Sequence, residues 1–316
     1  MIENDIELTS DRPIVTKQYR RSHKMIQLLH DIVDKLFEQG IIEESISEYC
    51  SQPVIVTRKN GEPKMCVDYR GLNSITKGVA HSPYRMDTLL DAIHRAKFIS
   101  KLDWRNAYYQ IKLSERSKPF TAFAVPGRGL MQFKYMPFGL KTALITFIRL
   151  KDKLKAKIRQ ELRARELPLW WENLIQAYMD DWLIATITFE QHLTMLEVVF
   201  KVLREAGILI NREKSEFCKE TVKFLGFIIT YEGISPDPEK IKTIVEYPRP
   251  TTRKQVRRFL GLINWYHRHL VGVARAQGPL NKLTSEKNLW KWEKAEETSF
   301  QELKQAYSEG TNFSHT

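Results

Sequence analysis

The amino-acid sequence predicts an α+β fold up to about residue 235, followed by a lobe made of helices. Two observations support this prediction. Before Pro236, short runs rich in β-branched and aromatic residues alternate with stretches whose apolar residues have helical spacing. After Pro236, only the helical spacing remains. Strands gathered in one part of a chain and helices in another are typical of α+β folds.

The first elements follow in chain order. Apolar residues at helical spacing over 24–39 predict a helix, and a glycine directly behind them marks its end. Two β-rich runs, 53–58 and 63–68, flank an Asn-Gly pair and predict a hairpin. We expect a strand over 97–103 and a second extended or turn-rich piece over 107–113.

The next elements surround a pair of acidic residues. Within 174–186, two apolar runs flank Asp180 and Asp181, so this pair is expected at a break between strands. The same periodicities predict a strand pair over 120–125 and 130–135, helices over 141–166 and 190–206, and a strand over 222–230 followed by a turn at 231–233.

The helical lobe contains one well-marked helix. Thr252 and Gln255 match a capping box at its start. One face of this helix is apolar, with Val256, Phe259, Leu260 and Ile263. The other face is largely basic, with Lys254, Arg257, Arg258 and Arg268.

The charge balance points to an anionic partner. Lysine and arginine number 50 and aspartate and glutamate 38, which gives a formal net charge of +12. Such an excess most often indicates nucleic acid and sometimes an anionic membrane. The alternative is a basic protein that its charge keeps soluble. With 42% hydrophobic residues, the composition excludes a disordered chain and a collagen-like fibre.

The cysteines and the apolar runs bear on the compartment. Cys50, Cys66 and Cys218 are scattered and form no Cys-x-x-Cys pair, which argues against a disulfide framework and a structural zinc site. We therefore expect buried, reduced thiols in an intracellular protein of the cytoplasm or the nucleus. The polar first thirty residues predict no signal peptide, and no apolar run is long enough to span a membrane.

Three acidic residues stand in apolar surroundings. Asp103 ends the predicted strand over 97–103, and Asp180 and Asp181 interrupt another apolar run. A carboxylate beside buried strand residues is costly unless it is paired or binds a metal. Oxygen ligands at strand ends suit Mg²⁺ above all. The alternative is an exposed hairpin turn at Asp180 and Asp181, since aspartate is a common turn residue.

Five motifs occur in one order along the chain: VDYRGLN (67–73), KLDWRNAYYQI (101–111), MPFGLK (136–141), YMDD (178–181) and FLGFI (224–228). Together they resemble the reverse transcriptases of gypsy-type long-terminal-repeat retrotransposons and of related retroviruses. Any one of these motifs is weak, but five in register are specific. The resemblance extends from about residue 7 to about residue 305.

The resemblance implies a right-hand polymerase fold with an antiparallel palm sheet and a helical thumb. The fingers would be 1–80 and 114–148, and the palm 81–113 and 149–233. The thumb would be 234–316 and would include the start of a tether to a missing RNase H. Because we find no protease, RNase H or integrase motif, we expect an excised or truncated polymerase lobe.

The resemblance also implies the chemistry of the acidic residues. Asp103, Asp180 and Asp181 would be the catalytic and metal-binding carboxylates of an RNA-directed DNA polymerase. They would hold two Mg²⁺ ions, or Mn²⁺, during addition of deoxynucleotides to a primer 3′ end. The expected partners are an RNA or DNA template with its primer and deoxynucleoside triphosphates. No membrane partner is expected, and the oligomeric state is left open.

Further positions match the nucleotide-binding and primer-binding residues of the family. Tyr108 matches the ring that would exclude a 2′-hydroxyl; a plain packed aromatic is the alternative. For Lys59 and Lys64 the alternative is a solvated charge, which is more common for lysines on a hairpin. For the apolar run 224–227 the alternative is packing of a strand alone. The nucleotide-binding set is Lys59, Lys64, Arg70, Tyr108, Phe138 and Met179. The primer-binding set is Tyr178, Phe224, Leu225, Gly226 and Phe227.

The sequence departs from the family pattern in three places. Lys64 stands where an arginine is usual, which removes a bidentate phosphate contact. The residues at 142–148 differ from those usual in the family, and 151–173 contains a basic piece that the family usually lacks. That piece predicts either a lengthened helix touching nucleic-acid phosphates or a solvated helical face. The alternative function is therefore a catalytically degenerate or domesticated copy that acts as a nucleic-acid-binding or scaffold protein.

Overall fold

A computed structural model describes residues 2–57, 61–78, 93, 96–179, 181–266 and 273–309. The chain divides into two compact units, each assembled from separate stretches of sequence. The first unit comprises Met1–Leu89, Leu102–Ile184 and Leu193–Ser215. The second comprises Leu90–Lys101, Ala185–His192 and Glu216–Thr316. The predicted limits of fingers, palm and thumb stay a prediction.

The strands are short, as expected for runs of three to six β-rich residues between turns. They are β1 (Glu3–Asn4), β2 (Ile42–Glu44), β3 (Gln52–Thr57), β4 (Pro63–Asp68), β5 (Phe98–Asp103), β6 (Lys112–Leu113), β7 (Phe123–Val125), β8 (Gly129–Phe133), β9 (Ile175–Tyr178), β10 (Asp181–Thr186), β11 (Glu216–Lys219), β12 (Val222–Phe224), β13 (Phe227–Thr230) and β14 (Gly233–Pro236).

The helices include the long segments that periodicity predicts. They are α1 (His23–Glu38), α2 (Arg70–Ile75), α3 (Ala143–Ala164), α4 (Phe189–Glu205), α5 (Pro238–Val245), α6 (Arg253–Trp265), α7 (Val273–Ala276), α8 (Gly278–Thr284) and α9 (Lys294–Glu309). Short 3₁₀ turns cover Ala107–Gln110, Glu115–Ser117, Pro119–Thr121 and Leu169–Leu174. Among the described residues, no helix is long and apolar enough to cross a membrane.

Most of the described strands pair antiparallel, while β1 and β6 form a parallel pair. One four-stranded sheet has the order β11-β5-β10-β9, and two three-stranded sheets have the orders β2-β8-β7 and β12-β13-β14. Strands β3 and β4 form the predicted hairpin, with Val54 opposite Cys66, although residues 58–60 at its tip lie outside the described residues. The strand pair β7-β8 and the helix expected over 141–166 are also confirmed.

One local prediction needs correction. The stretch 222–230 is a hairpin of β12 and β13 rather than one strand before a turn, because Leu225 and Gly226 both adopt positive φ. Such a pair is what a two-residue hairpin loop requires. Alternation of apolar residues alone did not reveal this turn. The piece 107–113, expected to be extended or turn-rich, is a 3₁₀ turn followed by the two-residue strand β6.

The start of α6 forms half of the predicted capping box. The Thr252 side chain accepts a hydrogen bond from the Gln255 amide at 3.3 Å, as a cap should. The Gln255 side chain, however, accepts from the amide of Thr251 at 2.6 Å instead of reaching Thr252. The helix then buries Val256 and the apolar residues behind it, as predicted.

The basic piece in 151–173 consists of the second half of α3 and the 3₁₀ turn behind it. Its basic charges are partly compensated: Arg159 pairs with Glu172 at 2.6 Å, and Arg165 pairs with Glu161 at 2.7 Å. Lys151 is only 4% exposed, and burial lowers its pKa to about 8. Phosphate contacts by this helix, which remain a prediction, would fall to other lysines and arginines.

A buried histidine connects several strands of the second unit. The Cys218 amide donates to Ser100 Oγ at 3.0 Å, and Ser100 Oγ lies 2.7 Å from His192 Nε2. His192 Nδ1 lies 2.9 Å from Thr186 Oγ1, which donates to the Thr188 carbonyl at 3.3 Å. Because the Thr186 hydroxyl donates its proton to the Thr188 carbonyl, Nδ1 of His192 carries the ring proton. Nε2 of His192 then accepts a hydrogen bond from the Ser100 hydroxyl.

The three cysteines are free thiols, as expected. They are half-buried rather than buried, since Cys50, Cys66 and Cys218 each keep some exposed surface. Burial still raises the pKa of the Cys50 thiol.

Candidate active site

Asp103 and Asp181 lie at strand ends of one sheet. Asp103 is the last residue of β5 and Asp181 the first residue of the neighbouring strand β10. At the other end of the pair, the Lys97 amide donates to the Thr186 carbonyl at 2.8 Å. Because the start of β5 thus meets the end of β10, the strands run antiparallel and both carboxylates lie at the same edge.

The residues that follow the two aspartates support this placement. The rings of Trp104 and Trp182 have centroids 5.4 Å apart, and both side chains are buried. Successive side chains of a strand point to opposite faces. The two indoles therefore pack on the core face, and Asp103 and Asp181, both half-buried, are directed to the other face.

Main-chain hydrogen bonds fix the position of Asp103. Its amide donates to Ser215 Oγ at 3.1 Å, and its carbonyl accepts from the Asn211 amide at 2.7 Å. Ser215 Oγ in turn donates to the Asn211 carbonyl at 2.7 Å. These bonds hold the backbone of Asp103 at the end of β5.

Asp181 is positioned by a tight hairpin. In the β9-β10 pair it stands opposite Tyr178, the last residue of β9. Met179 has φ +54°, the left-handed conformation of a two-residue hairpin loop. The predicted break between strands is confirmed, and Asp180 lies outside the described residues.

The donor chemistry of this edge suits a hard cation. Carboxylate oxygens are ligands that Mg²⁺ prefers, and a rigid sheet edge keeps two of them in place. Within the part of the chain that the structure describes, no three His, Cys, Asp or Glu side chains form a metal-binding group. The third predicted carboxylate, Asp180, is not among those residues.

Three of the predicted nucleotide-binding residues come together in the first unit. The Nζ atom of Lys64 lies 3.3 Å from the centroid of the Phe138 ring, within cation–π range. The Tyr108 and Phe138 rings pack with centroids 4.8 Å apart. The half-buried Tyr108 is thus part of an aromatic pair that carries a cation on one side.

An aromatic chain connects this cluster to the sheet edge. From Phe138 and Tyr108 it continues to Phe147 at 5.8 Å, then to Trp104 at 5.4 Å and to Trp182 at 5.4 Å. Phe147 belongs to the stretch 142–148 that departs from the family pattern. The cluster of Lys64, Tyr108 and Phe138 and the edge that carries the carboxylates therefore belong to one packed framework.

The 3₁₀ turn that carries Tyr108 is held by Gln110. Its Nε2 donates to the Arg105 and Leu209 carbonyls at 2.6 and 2.9 Å, and its Oε1 accepts from the Leu209 amide at 2.7 Å. Sequence analysis did not single out Gln110, although it lies within the motif 101–111. Its partner Leu209 is about a hundred positions away, so no local spacing could reveal the contact.

The tryptophan pair was also missed, although a signal exists. The dipeptide Asp-Trp occurs twice, at 103–104 and at 181–182. In strands, this repetition places each aspartate and each indole on opposite faces.

Of the predicted nucleotide-binding residues Arg70 and Lys59, the structure describes only Arg70. Arg70 is 88% exposed at its side chain and pairs with Asp68, with Nε 2.9 Å from Oδ1. This ion pair holds the pKa of the Asp68 carboxyl below its usual value. The described contacts do not bring Arg70 to Lys64, Tyr108 or Phe138. Lys59 lies outside the described residues.

The predicted primer-binding turn belongs to the second unit. Phe224 and Phe227 are each 1% exposed, so their side chains form core. Leu225 and Gly226, between them, are half-buried. If this hairpin touches a primer, the contact falls to the Leu225–Gly226 turn. Tyr178, the other predicted primer residue, ends β9 in the first unit and is half-buried.

Comparisons with known proteins bear on the family and the fold. The family model described as "Reverse transcriptase (RNA-dependent DNA polymerase)" matches residues 56–229. The chain is 32% identical over 288 residues to the "Retrovirus-related Pol polyprotein from transposon opus" of Drosophila melanogaster, which covers 90% of this chain and 27% of the relative. It is 28% identical over 305 residues to the "Transposon Tf2-3 polyprotein" of Schizosaccharomyces pombe, with coverage of 96% and 22%. The chain thus spans about a quarter of the length of these relatives.

Solved structures give the same result. The foamy viral protease-reverse transcriptase in complex with double-stranded DNA matches with a TM-score of 0.83 at 26% identity, over 98% of this chain and 52% of that one. The same foamy viral protein in complex with an RNA/DNA hybrid matches with a TM-score of 0.78 at 26% identity, over 98% and 40%. The predicted α+β polymerase fold is confirmed.

Proposed function

We propose, because this chain belongs to the reverse transcriptase family, that it extends the 3′ end of a primer with deoxynucleotides in the order set by an RNA template. The observation that supports this most directly is the sheet edge shared by Asp103 and Asp181. That edge is connected through the aromatic chain to the cation of Lys64. Negative oxygen ligands and a cation on one packed framework suit phosphoryl transfer.

The metal-binding residues would be Asp103 and Asp181, with Asp180 added by resemblance. Two Mg²⁺ ions, or Mn²⁺, bound there would supply activation of the primer 3′-hydroxyl and stabilisation of charge on the nucleotide phosphates. The protein contributes the fixed position of the ligands. Ser215 and Asn211 hold the Asp103 backbone, so the carboxylate needs little reorganisation when a cation arrives.

The nucleotide would be bound by the cluster of Lys64, Tyr108 and Phe138. Lys64 would meet triphosphate oxygens as a point charge, with Lys59, Arg70 and Met179 as further contacts suggested by resemblance. The Tyr108 ring is backed by Phe138 and Phe147, so it cannot easily move aside for a larger sugar. A fixed ring of this kind would exclude a 2′-hydroxyl and select deoxynucleotides.

The template and primer would be held mainly through their phosphates by the basic surface of this +12 chain. The foamy viral relatives are described in complexes with double-stranded DNA and an RNA/DNA hybrid, which supports such a partner here. We assign the chain to the gypsy-type elements, with fingers, palm and thumb in the limits given above. The intracellular setting of such elements agrees with the three free thiols.

The proposal is tested by extension of oligo(dT) on poly(rA) with Mg²⁺ and deoxythymidine triphosphate. We expect the unaltered chain to extend the primer and the Asp180→Asn variant to be inactive. Excess chelator should also stop extension, and added Mg²⁺ should restore it. No extension by the unaltered chain, with salt-sensitive binding of the template–primer retained, would favour a degenerate nucleic-acid-binding copy instead.

Replacing Tyr108 with Ala should relax sugar selection. Without the ring, the ratio of kcat/KM for deoxythymidine triphosphate to that for uridine triphosphate is expected to fall on the order of 100-fold, the usual cost of rejecting one hydroxyl by shape. Single-nucleotide extension measures both values. The matched control is Tyr108→Phe, which keeps the ring and should keep the ratio. An unchanged ratio in the Ala variant would show that Tyr108 is only a packing residue.

A further inference from the structure

The turn between β12 and β13 has both of its carbonyl groups bonded to the helical part of the second unit. The Leu225 carbonyl accepts from the indole N–H of Trp265, with Nε1 at 3.1 Å. The Gly226 carbonyl accepts from the amide of Asp237 at 2.9 Å. Trp265 ends α6, and Asp237 caps α5. Carbonyls of a hairpin loop usually accept hydrogen bonds from water. Here both carbonyls accept from residues at helix ends, so the loop is bonded to α5 and α6.

The end of α6 also closes over the turn sterically. A Cβ atom on Gly226 would stand 2.6 Å from Tyr266 Oη, 3.6 Å from Tyr266 Cζ and 3.7 Å from Trp265 Nε1. Gly226 has φ +85°, a conformation that other residues rarely adopt. The Tyr266 ring continues onto Phe227, with centroids 5.1 Å apart. Only glycine fits between this loop and the helix.

The backbone of Leu225 is strained in the same arrangement. It has φ +53°, which is uncommon for a branched, bulky residue. Residues of this kind persist only where their surroundings over-determine them, and they concentrate at functional sites. The Trp265 indole and the crowded Gly226 are the surroundings that impose the conformation here.

Helix α6 presents basic side chains to solvent on the face opposite its buried residues. Lys254 and Arg258 are exposed there, while Phe259 and Ile263 are buried. A contact between these cations and nucleic-acid phosphates would therefore act on the same helix whose last turn holds Leu225 and Gly226.

We propose that Trp265 and Tyr266 are positioning residues that lock the Leu225–Gly226 turn to helix α6, so that phosphate binding by the helix and placement of the primer end by the turn occur together. The inference rests on the proposed function, since it takes this turn as primer-binding. The occupant of the surface is a nucleic-acid duplex with a primer end. Neither residue touches the reacting atoms.

The main test is Trp265→Phe, which keeps an aromatic ring but removes the indole donor. We expect the KM for template–primer to rise about 3- to 10-fold, the effect of losing one hydrogen bond, with kcat and the KM for the nucleotide nearly unchanged. The matched control is Trp292→Phe. It removes an indole bond to Glu297 elsewhere in the same unit and should leave the primer KM unchanged.

Two readouts do not depend on activity. Amide hydrogen exchange of residues 222–230 should be faster in Trp265→Phe than in Trp292→Phe. A 2-aminopurine placed at the primer 3′ end should change its fluorescence less on binding to Trp265→Phe. If the unaltered chain binds a primer but does not extend it, the proposed polymerase activity fails while these two measurements still decide the positioning role. Equal exchange and equal fluorescence in the two variants would overturn it.

A second pair of variants tests the steric contact. Gly226→Ala should weaken template–primer binding more than 10-fold, because its Cβ would collide with Tyr266 Oη. Tyr266→Phe removes that atom and leaves 3.6 Å to the ring, an ordinary contact. The double variant should therefore bind better than Gly226→Ala alone. If Tyr266→Phe does not improve binding, the helix does not constrain the turn through this contact.

Discussion

Primer extension by the Asp103→Asn variant is expected to fall about 1,000-fold or more, which corresponds to about 4 kcal/mol of transition-state stabilisation. Asparagine has nearly the same shape as aspartate, but it lacks the negative charge that a divalent cation requires. The variant removes one of the two described carboxylates at the shared edge of β5 and β10. Steady-state extension rates on poly(rA)–oligo(dT) measure the effect.

The fold should survive this change. Two bonds that hold residue 103 involve its backbone amide and carbonyl, with Ser215 and Asn211 as partners, and both remain in the variant. Removing a half-buried charge also removes a desolvation cost. We therefore expect an unchanged or slightly higher Tm and template–primer binding within about 2-fold.

The matched control for Asp103→Asn is Asp152→Asn, an exposed position on α3. This control should extend the primer at the normal rate. Normal extension by Asp103→Asn would contradict the proposed role of the sheet edge, and equal losses in both variants would indicate a general effect of charge.

Acidification should destabilise the second unit through His192. Burial lowers the pKa of this imidazole from 6.5 to about 4 in the folded protein. Between those values the unfolded chain binds the proton and the folded one does not, so the free energy of unfolding decreases as the pH falls from about 6.5 to about 4. The full shift corresponds to about 3 kcal/mol, all of it present above pH 6.5.

The hydrogen bonds of the ring show what a second ring proton would disturb. Nε2 accepts from Ser100 and Nδ1 donates to Thr186, so a second ring proton would face a hydroxyl whose own proton already points at it. His192 is fully buried, and water is therefore not at hand to solvate the cation. Protonation must break part of the network that joins β5, β10 and β11.

Urea unfolding at several pH values measures this contribution. Carboxylates also titrate in acid, so the informative quantity is the difference in slope between the unaltered chain and His192→Gln. We expect the variant to be less stable at pH 7 and to have a flatter pH dependence between 4.5 and 6.5. His23→Gln, an exposed position at the start of α1, should keep the full slope. Equal slopes in all three proteins would mean that His192 does not titrate in this range.

Local patterns predicted the elements because their causes are local. A few residues are enough to recognise the apolar spacing of α1, α3 and α4 and the Asn-Gly pair between β3 and β4. The break at Asp180 and Asp181 was legible in the same way, since two apolar runs cannot continue as one strand through adjacent charges.

The assembly of the site could not be predicted in this way. The contact of Lys64 with Phe138 and that of Gln110 with Leu209 join residues far apart in the chain. They depend on the order of strands in the sheets, which no spacing specifies. The positive φ of Leu225 was missed for a related reason: leucine has no preference for that conformation, and the indole of Trp265 imposes it from forty positions away.

The repeated Asp-Trp dipeptide has a consequence for folding fidelity. A shift of either β5 or β10 by one residue would exchange the faces of its side chains. In β5 it would move Asp103 to the face of the indoles and take Trp104 out of its contact with Trp182, and in β10 it would do the same to Asp181 and Trp182. Each strand is thus destabilised twice by one error, through a buried charge and through the lost contact between the indoles. The strand pairing that aligns the carboxylates is therefore also more stable than a pairing shifted by one residue.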